Sequence, residues 1–332
     1  MSVLLSGGLG FIGSNLCQML VESGEHIVVL DNKSSNAVDA IKNSEMMNDT
    51  CLNQEAVCRG LQRLSGALDK VSMVHLAAVP GIETCAREPV TSLETNVEGT
   101  RVMLEEAVKA GVEHFVFASS VGAVLGTQTQ PANEEQIPYP QTVYGWSKLE
   151  GERLCWMFAN KMRITVLRFT NIYGENSQHK SSIVAKLLMR KLDVPFTIYG
   201  DGEQTRDLVY IGDVCRAVVM ALEKKAEGLF HIGLGKGIRL LDLVKVVERV
   251  TGREIPLKFE AERIGDVREN WTSLDKARNG IGYMPDVEIE EGVRRTWDWA
   301  KPMVEQGDKD RLRVLENVRM MRGTMSEDST TS

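Results

Sequence analysis

Short apolar runs recur along the first half of the chain, each followed by a stretch with apolar residues three and four apart. Residues 2–6 (Ser-Val-Leu-Leu-Ser) read as a buried strand, and 14–21 carry helical spacing. A second strand over 26–30 ends in Asp31-Asn32, and a helix follows over 53–68 through Ala56, Val57, Leu61, Leu64 and Leu68. Residues 71–76 form a strand, 91–110 a helix stopped by Gly111, and 114–118 another strand. A proline-containing loop leads to the helix that carries Tyr144, and 163–169 is the next strand. Such alternation implies an α/β fold, a doubly wound parallel sheet with helices on both faces. The stretch 33–49 is poorly patterned; a short helix and a third strand are assigned to it. No internal repeat is visible.

Past Phe169 the order changes, and shorter apolar segments alternate with Gly, Pro and charge. That suits a smaller C-terminal α/β lobe. Residues 209–221 and 228–232 look like a return to the main sheet, so the domains are interleaved. The division expected is a Rossmann-like domain over 1–172 completed by 208–232, a second lobe over 173–207 and 233–302, and a polar tail over 303–332. The last stretch, from about 301, reads as a frayed helix and tail.

Two clusters carry chemistry. Gly7, Gly10 and Gly13 follow a G-x-x-G-x-x-G spacing between the first strand and the first helix. This is a close variant of the dinucleotide fingerprint: glycines permit a tight turn and close backbone approach, and the helix N-terminus offers N–H groups to a pyrophosphate. An acid at the end of the second strand, Asp31, accepts from an adenosine ribose and repels a 2′-phosphate, which favours NAD over NADP. With a strand before the glycines, a helix after them and that acid in place, an ordinary turn is the weaker reading. Tyr144 and Lys148 stand four apart on one helix face. A free phenol titrates near ~10, and a neighbouring ammonium is expected to lower that value and favour the phenolate. The pair reads as a proton-transfer device awaiting a redox partner.

Composition narrows the class. The 332 residues suffice for one large or two modest domains, and 43% hydrophobic with 26% charged residues is ordinary for a globular chain. A net charge of −7 argues against general nucleic-acid binding. No run approaches the roughly 20 apolar residues of a membrane span. The first strand starts the chain, so a signal peptide is not expected and a cytoplasmic location is. Six cysteines, at 17, 51, 58, 85, 155 and 215, lack Cys-x-x-Cys spacing and are accompanied by five histidines. They read as buried thiols in a reducing compartment, with no metal site.

From residue 1 to about 300 the sequence resembles the extended short-chain dehydrogenase/reductases, and within them the nucleotide-sugar epimerases and dehydratases. The resemblance rests on Gly7-Gly-Leu-Gly-Phe-Ile-Gly13, His75-Leu-Ala-Ala78, Asn96-Val-Glu-Gly-Thr100, Ser119-Ser120, Tyr144-x-x-x-Lys148, Asn171-Ile-Tyr-Gly174, Gly200-Asp-Gly-x-x-x-Arg206-Asp207 and Arg263-x-Gly-Asp266. It implies an NAD-binding lobe, a nucleotide-sugar lobe, and a homodimer built on the helices carrying Asn96 and Tyr144.

Residue by residue, the resemblance puts the cofactor against Gly7, Gly10, Phe11, Ile12 and Gly13, with Asp31 and Asn32 on the adenosine ribose and Asp49 reaching the adenine. Ala77 and Ala78 line the cofactor by backbone, and Asn96, Ser119, Tyr144 and Lys148 lie near it. The alternatives are a simple turn for Asp31-Asn32, a helix cap for Asn96, and loop capping for the serines. His75 is expected to be packed or hydrogen-bonded in the sheet. Ser120 is the expected catalytic serine, with Ser119 as fallback. On the substrate side Asn171 holds the phosphate, Arg206 and Arg263 the diphosphate, and Asp266 the nucleoside ribose; two guanidiniums on one pyrophosphate suit its bidentate geometry. His179 and Lys180 read as a solvated loop and 233–237 as a turn.

The implied reaction uses Tyr144 as base on a sugar hydroxyl while hydride passes to NAD, with Ser120 on the same oxygen. Dehydratases of this family carry Asp-Glu, and decarboxylases Ser-Glu, after the serine or threonine position; here Val121 and Gly122 stand there. Simple 4-epimerisation of a UDP-hexose is therefore the best match, of the glucose/galactose or N-acetylhexosamine type. A dehydratase or decarboxylase, a plain NAD-dependent dehydrogenase and a catalytically silent NAD-binding regulator are the alternatives. Asn270 stands where a tyrosine in 4-epimerases tends to exclude N-acetyl groups, a lean toward N-acetylated sugars.

Overall fold

Each apolar run of the first half becomes a strand in the computed structural model, which describes residues 1–34, 41–64, 71–126, 129–178, 182–190, 194–262 and 267–306. The chain opens with β1 (Ser2–Ser6), α1 (Phe11–Glu22), β2 (His26–Asp31) and β3 (Glu45–Asn48). It continues through α2 (Gln54–Arg63) and β4 (Val71–His75). The next helical stretch is broken into α3 (Ile82–Arg87), α4 (Pro89–Leu93), a π turn (Glu94–Glu98) and α5 (Gly99–Lys109). There follow β5 (His114–Ser120), α6 (Val121–Leu125), α7 (Val143–Met157) and β6 (Arg163–Phe169).

The second half runs β7 (Asn171–Tyr173), α8 (Ile183–Leu188), β8 (Phe196–Tyr199), β9 (Thr205–Arg206), β10 (Leu208–Tyr210), α9 (Ile211–Glu223) and β11 (Gly228–Ile232). It ends with β12 (Ile238–Arg239), α10 (Leu240–Thr251), β13 (Leu257–Glu260), α11 (Asp275–Ile281) and a helix over 289–306.

Among the described residues the main sheet has seven strands in the order β11-β6-β5-β4-β1-β2-β3, all parallel. The order reverses beside β1, and in open α/β sheets ligands gather outside the carboxyl ends at such a point. Alternation along the strands feeds two cores. Val3, Leu5, Ile27, Val29, Val74, Val116 and Leu167 face α1 and α9, while Leu4, Val28, Leu30, Met73, Phe115, Phe117 and Val166 face α2, α5 and α7. A one-residue slip would exchange side chains between the layers, so the double burial fixes the register. Three two-stranded pairs, β7 with β10, β9 with β12 and β8 with β13, build the region beyond the carboxyl edge.

Several expectations change. The helix expected over 91–110 begins earlier and is interrupted at Glu88, because Pro89 has no N–H to continue α3 and instead occupies the first turn of α4. The π turn then shifts the helix phase before α5. The loop after β5 starts with α6, capped by Ser120. The third strand is present at 45–48; the short helix assigned to 33–49 is absent from the described part of that stretch, and 35–40 lie outside the described residues, as does the tail from 307. Five cysteines are buried and Cys58 is half-buried. Among the described residues no helix is long and apolar enough to cross a membrane.

Candidate active site

The glycine turn is a steric necessity. Gly7 leaves β1 with φ +73°, and a Cβ there would lie 2.7 Å from the Ala77 backbone nitrogen. A Cβ on Gly13 would lie 2.1 Å from the Gly7 carbonyl oxygen. Gly10 caps α1 without any side-chain hydrogen bond, so the first-turn amides are not taken up by a capping side chain. Phe11 is buried in the core and Ile12 packs against it. This cradle fits a dinucleotide's pyrophosphate.

Asp31 ends β2, buried, and its carboxylate accepts from Leu9 N at 2.9 Å and Lys33 N at 2.7 Å. It thereby braces the glycine turn from the next strand. Asn32 is exposed and its side-chain oxygen accepts from Ser34 N. Asp49 follows β3, but its carboxylate accepts from Thr50 N and Asn53 Nδ2 and pairs with Arg59 at 3.4 Å. These bonds tie it to the start of α2.

Ala77 and Ala78 are half-buried beside the turn, and Ala77 N donates to Ser6 Oγ. His75 is packed as expected. Its ring nitrogens meet Ser6 Oγ at 2.6 Å and Thr100 Oγ1 at 3.0 Å, and burial, with the Lys148 charge second, pushes its pKa down to about 3. Asn96 projects from the π turn and is neither an end cap nor free to swing. Its Oδ1 accepts from Val79 N at 2.7 Å, while Nδ2 donates to Val79 O and to Ser147 Oγ. It ties the loop after β4 to α7, whose Ser147 hydroxyl in turn donates to Tyr144 O.

Tyr144 is half-buried in the first turn of α7, which Thr142 caps through Gly145 N. Lys148 is buried one turn on. Its Nζ donates to Ala118 O at 3.0 Å and stands 5.9 Å from the Tyr144 ring centre and 5.2 Å from that of Phe117. The expected lowering of the phenol is reversed here: burial, with the Cys85 thiol second, pushes Tyr144 up to about 12. Desolvation of a neutral-to-anionic group outweighs a cation held on a neighbouring strand's carbonyl.

The serines separate cleanly. Ser119 is buried, and its Oγ donates to Glu152 Oε1. Ser120 is half-buried and accepts from Ala123 N at the start of α6. A Cβ on Gly122, two residues on, would lie 3.3 Å from Asn270 Nδ2. Asn270, between β13 and α11, therefore lies against the same turn.

Its backbone is pinned on both sides: Asp207 N donates to Asn270 O at 2.7 Å and Asn270 N to Thr205 Oγ1. Asp207 is a buried anchor. It accepts from Leu234 N, Gly235 N, Thr170 Oγ1 and Thr272 N, yet burial pushes its carboxyl up to about 6. These bonds make 233–237 the expected turn. Arg206 donates to Val267 O at 2.6 Å and Thr205 O at 2.8 Å, bracing the segment that follows 263–266. Asn171 is exposed on β7 and its Nδ2 donates to Asp207 O. Arg263, Asp266, His179 and Lys180 lie outside the described residues. Among those described, no cluster of three or more His, Cys, Asp or Glu could hold a metal.

The structure thus brings Gly7–Gly13, Asp31, Ala77, Asn96, Ser120, Tyr144 and Lys148 to one carboxyl edge, with Asn270 facing them. Residues 3–233 match the profile of the NAD dependent epimerase/dehydratase family. The chain belongs to this family. UDP-glucose 4-epimerase of Thermotoga maritima, solved with UDP-glucose, superimposes with a TM-score of 0.84 at 33% identity over 92% of this chain and 100% of that one. UDP-glucuronic acid 4-epimerase of Bacillus cereus, solved with UDP-glucuronic acid and NAD, gives 0.80 at 28% identity over 91% and 100%. A UDP-glucose 4-epimerase of Bacillus subtilis is 27% identical over 90% of this chain and 96% of its own length. The cofactor of the family is NAD.

Sequence reasoning missed Glu152, Arg168 and Ser147. Glu152 carried a usable signal, since it lies two turns beyond Tyr144 on the same helix face.

Proposed function

We propose that the protein catalyses NAD-dependent 4-epimerisation of a UDP-hexose, and that Tyr144, Lys148 and Ser120 perform it. The observation that carries the reading is the close packing of the turn opened by Ser120 on the first turn of α7, where a Cβ on Gly145, next to Tyr144, would lie 2.1 Å from Ala123 O, with Val121 and Gly122 where an eliminating enzyme needs acids. When bound, NAD accepts the hydride from the sugar's carbon 4 and returns it to the other face. Tyr144 Oη takes the proton of the 4-hydroxyl and later gives it back. Ser120 Oγ hydrogen-bonds the same oxygen and steadies its developing charge. Lys148, held on Ala118 O one turn from Tyr144, adds positive potential beside the phenol ring. The smaller lobe, 173–207 with 233–302, holds the nucleotide sugar, with Arg206, Arg263, Asp266 and Asn171 toward its nucleoside diphosphate.

Since the hydride returns within a turnover, the enzyme should consume UDP-glucose or UDP-N-acetylglucosamine with no net rise in NADH absorbance. A steady rise would make it a dehydrogenase.

Asn270 sets the room beside the sugar. Its amide is small and polar, and a tyrosine at this position would fill the space over Gly122. Asn270→Tyr is expected to lower kcat/KM for the N-acetylated sugar by about tenfold or more, as a lost pocket methylene or two costs, while sparing UDP-glucose. Equal losses on both sugars would remove Asn270 from substrate choice.

The protein also pairs with a second copy through α4 and α7. Val90, Leu93, Trp146 and Met157 are large exposed apolar side chains on these helices, which pack side by side. Sedimentation should give twice the 36.9 kDa chain mass; a monomer at micromolar concentration would exclude the pairing.

A further inference from the structure

Two serines end β5, and the reaction uses one. Successive strand residues point to opposite faces, so whatever holds Ser119 also orients Ser120. Ser119 Oγ donates to Glu152, which lies on α7 one turn beyond Lys148. Both Glu152 oxygens are taken by Arg168, Oε1 by Nε at 2.8 Å and Oε2 by Nη2 at 2.6 Å. Arg168 is the register partner of Ser119 across β5 and β6, and of His231 across β6 and β11. All three members, Ser119, Glu152 and Arg168, are exposed by 4% or less. Ser120, next in the chain, opens α6.

We propose that the Glu152–Arg168 pair is a positioning device that selects the catalytic serine. By taking the Ser119 hydroxyl beneath the strand, Glu152 fixes the rotation of the last residues of β5 and presents Ser120 to the sugar oxygen. A carboxylate only accepts, so Ser119 can only donate to it, and the reverse orientation of that hydroxyl is excluded. Arg168 holds the carboxylate bidentately against the sheet. Because Glu152 shares a helix with Tyr144 and Lys148, base and serine are set by one rigid element. The proposal rests on the reading of Ser120 as the serine that meets the sugar.

The test is a double-mutant cycle on NAD-loaded enzyme, with kcat referred to folded, cofactor-bearing protein so that lost stability does not register. Ser120→Ala, the reference, should lower kcat by about 100-fold or more. Glu152→Gln should lower kcat by about tenfold or more, as misplacement of a reacting group does, with KM and NAD content unchanged. Adding Ser119→Ala to Glu152→Gln should cost nothing further, since a Gln amide cannot hold Arg168 bidentately and so no longer fixes the oxygen to which Ser119 donates. Wild-type kcat in Glu152→Gln, or losses that multiply in the double variant, would overturn the device while leaving the site reading intact. Full activity in Ser120→Ala would overturn the site reading itself. If Glu152→Gln does not fold, Ser119→Ala alone carries the test, because it leaves the ion pair untouched: a several-fold fall in kcat at constant KM supports the device, and wild-type kcat overturns it.

Discussion

Tyr144→Phe is expected to lower kcat by about 10²–10⁴-fold, the range for loss of a positioned acid–base group, while NAD stays bound. The hydroxyl is the only atom removed, and the ring keeps its place in the first turn of α7. The size of the effect follows from the phenol's environment. With burial pushing its pKa up to about 12, the protein alone holds Tyr144 as an acid at neutral pH. A bound nicotinamide's positive charge would add to that of Lys148, which is held on Ala118 O, in favouring the phenolate. The sign gives a pH dependence: kcat should rise with pH until the loaded enzyme's phenol is ionised, then level. The Phe variant should show no such rise. Undiminished turnover in Tyr144→Phe would end the mechanism; a pH-independent wild-type rate would mean that another group takes the proton.

The second large effect is expected from Gly13→Ala. Within a helix this exchange ordinarily stabilises by about 0.5–1 kcal/mol. Here the new Cβ would lie 2.1 Å from Gly7 O and 2.6 Å from Gly8 Cα. Both are backbone atoms of the turn, so neither can rotate aside, and the sign reverses. Overpacking of this kind costs about 1–3 kcal/mol, and relief requires that α1 move off the glycine turn. The purified variant should therefore carry little NAD, with affinity down by about tenfold or more, a loss equivalent to roughly 1.4 kcal/mol. Melting temperature and cofactor content together check it. Full NAD occupancy would show that the turn is looser than its packing.

Much of the fold was legible because period is legible. The strands β1, β2, β4, β5 and β6 are short apolar runs, and their carboxyl ends carry Gly7, Asp31, Ala77 and Ser120 in the order the sheet requires. Tyr144 and Lys148 were legible for the same reason, four residues being one turn. What depended on tertiary surroundings was not. Helix spacing at 91–110 says nothing of a π turn, and it is the π turn that carries Asn96, now clamped on Val79 and Ser147. Proximity of Lys148 in sequence foretold a lowered phenol, but burial, which raises it, is set by packing around Cys85 and the loop after β4. The difference between Ser119 and Ser120 turns on Glu152, 33 residues away in sequence, which takes the Ser119 hydroxyl. Asp49 stands at the expected strand end, yet local hydrogen bonds to Asn53 and Arg59 claim its carboxylate.

The central claim is tested most directly by proton NMR of UDP-glucose, and separately of UDP-N-acetylglucosamine, incubated with the enzyme in heavy water. Hydride held within the site does not exchange with solvent, so the account predicts the galacto isomer with its original hydrogen at carbon 4. A deuterated carbon, a deoxy or decarboxylated product, or no isomer from either sugar would contradict it.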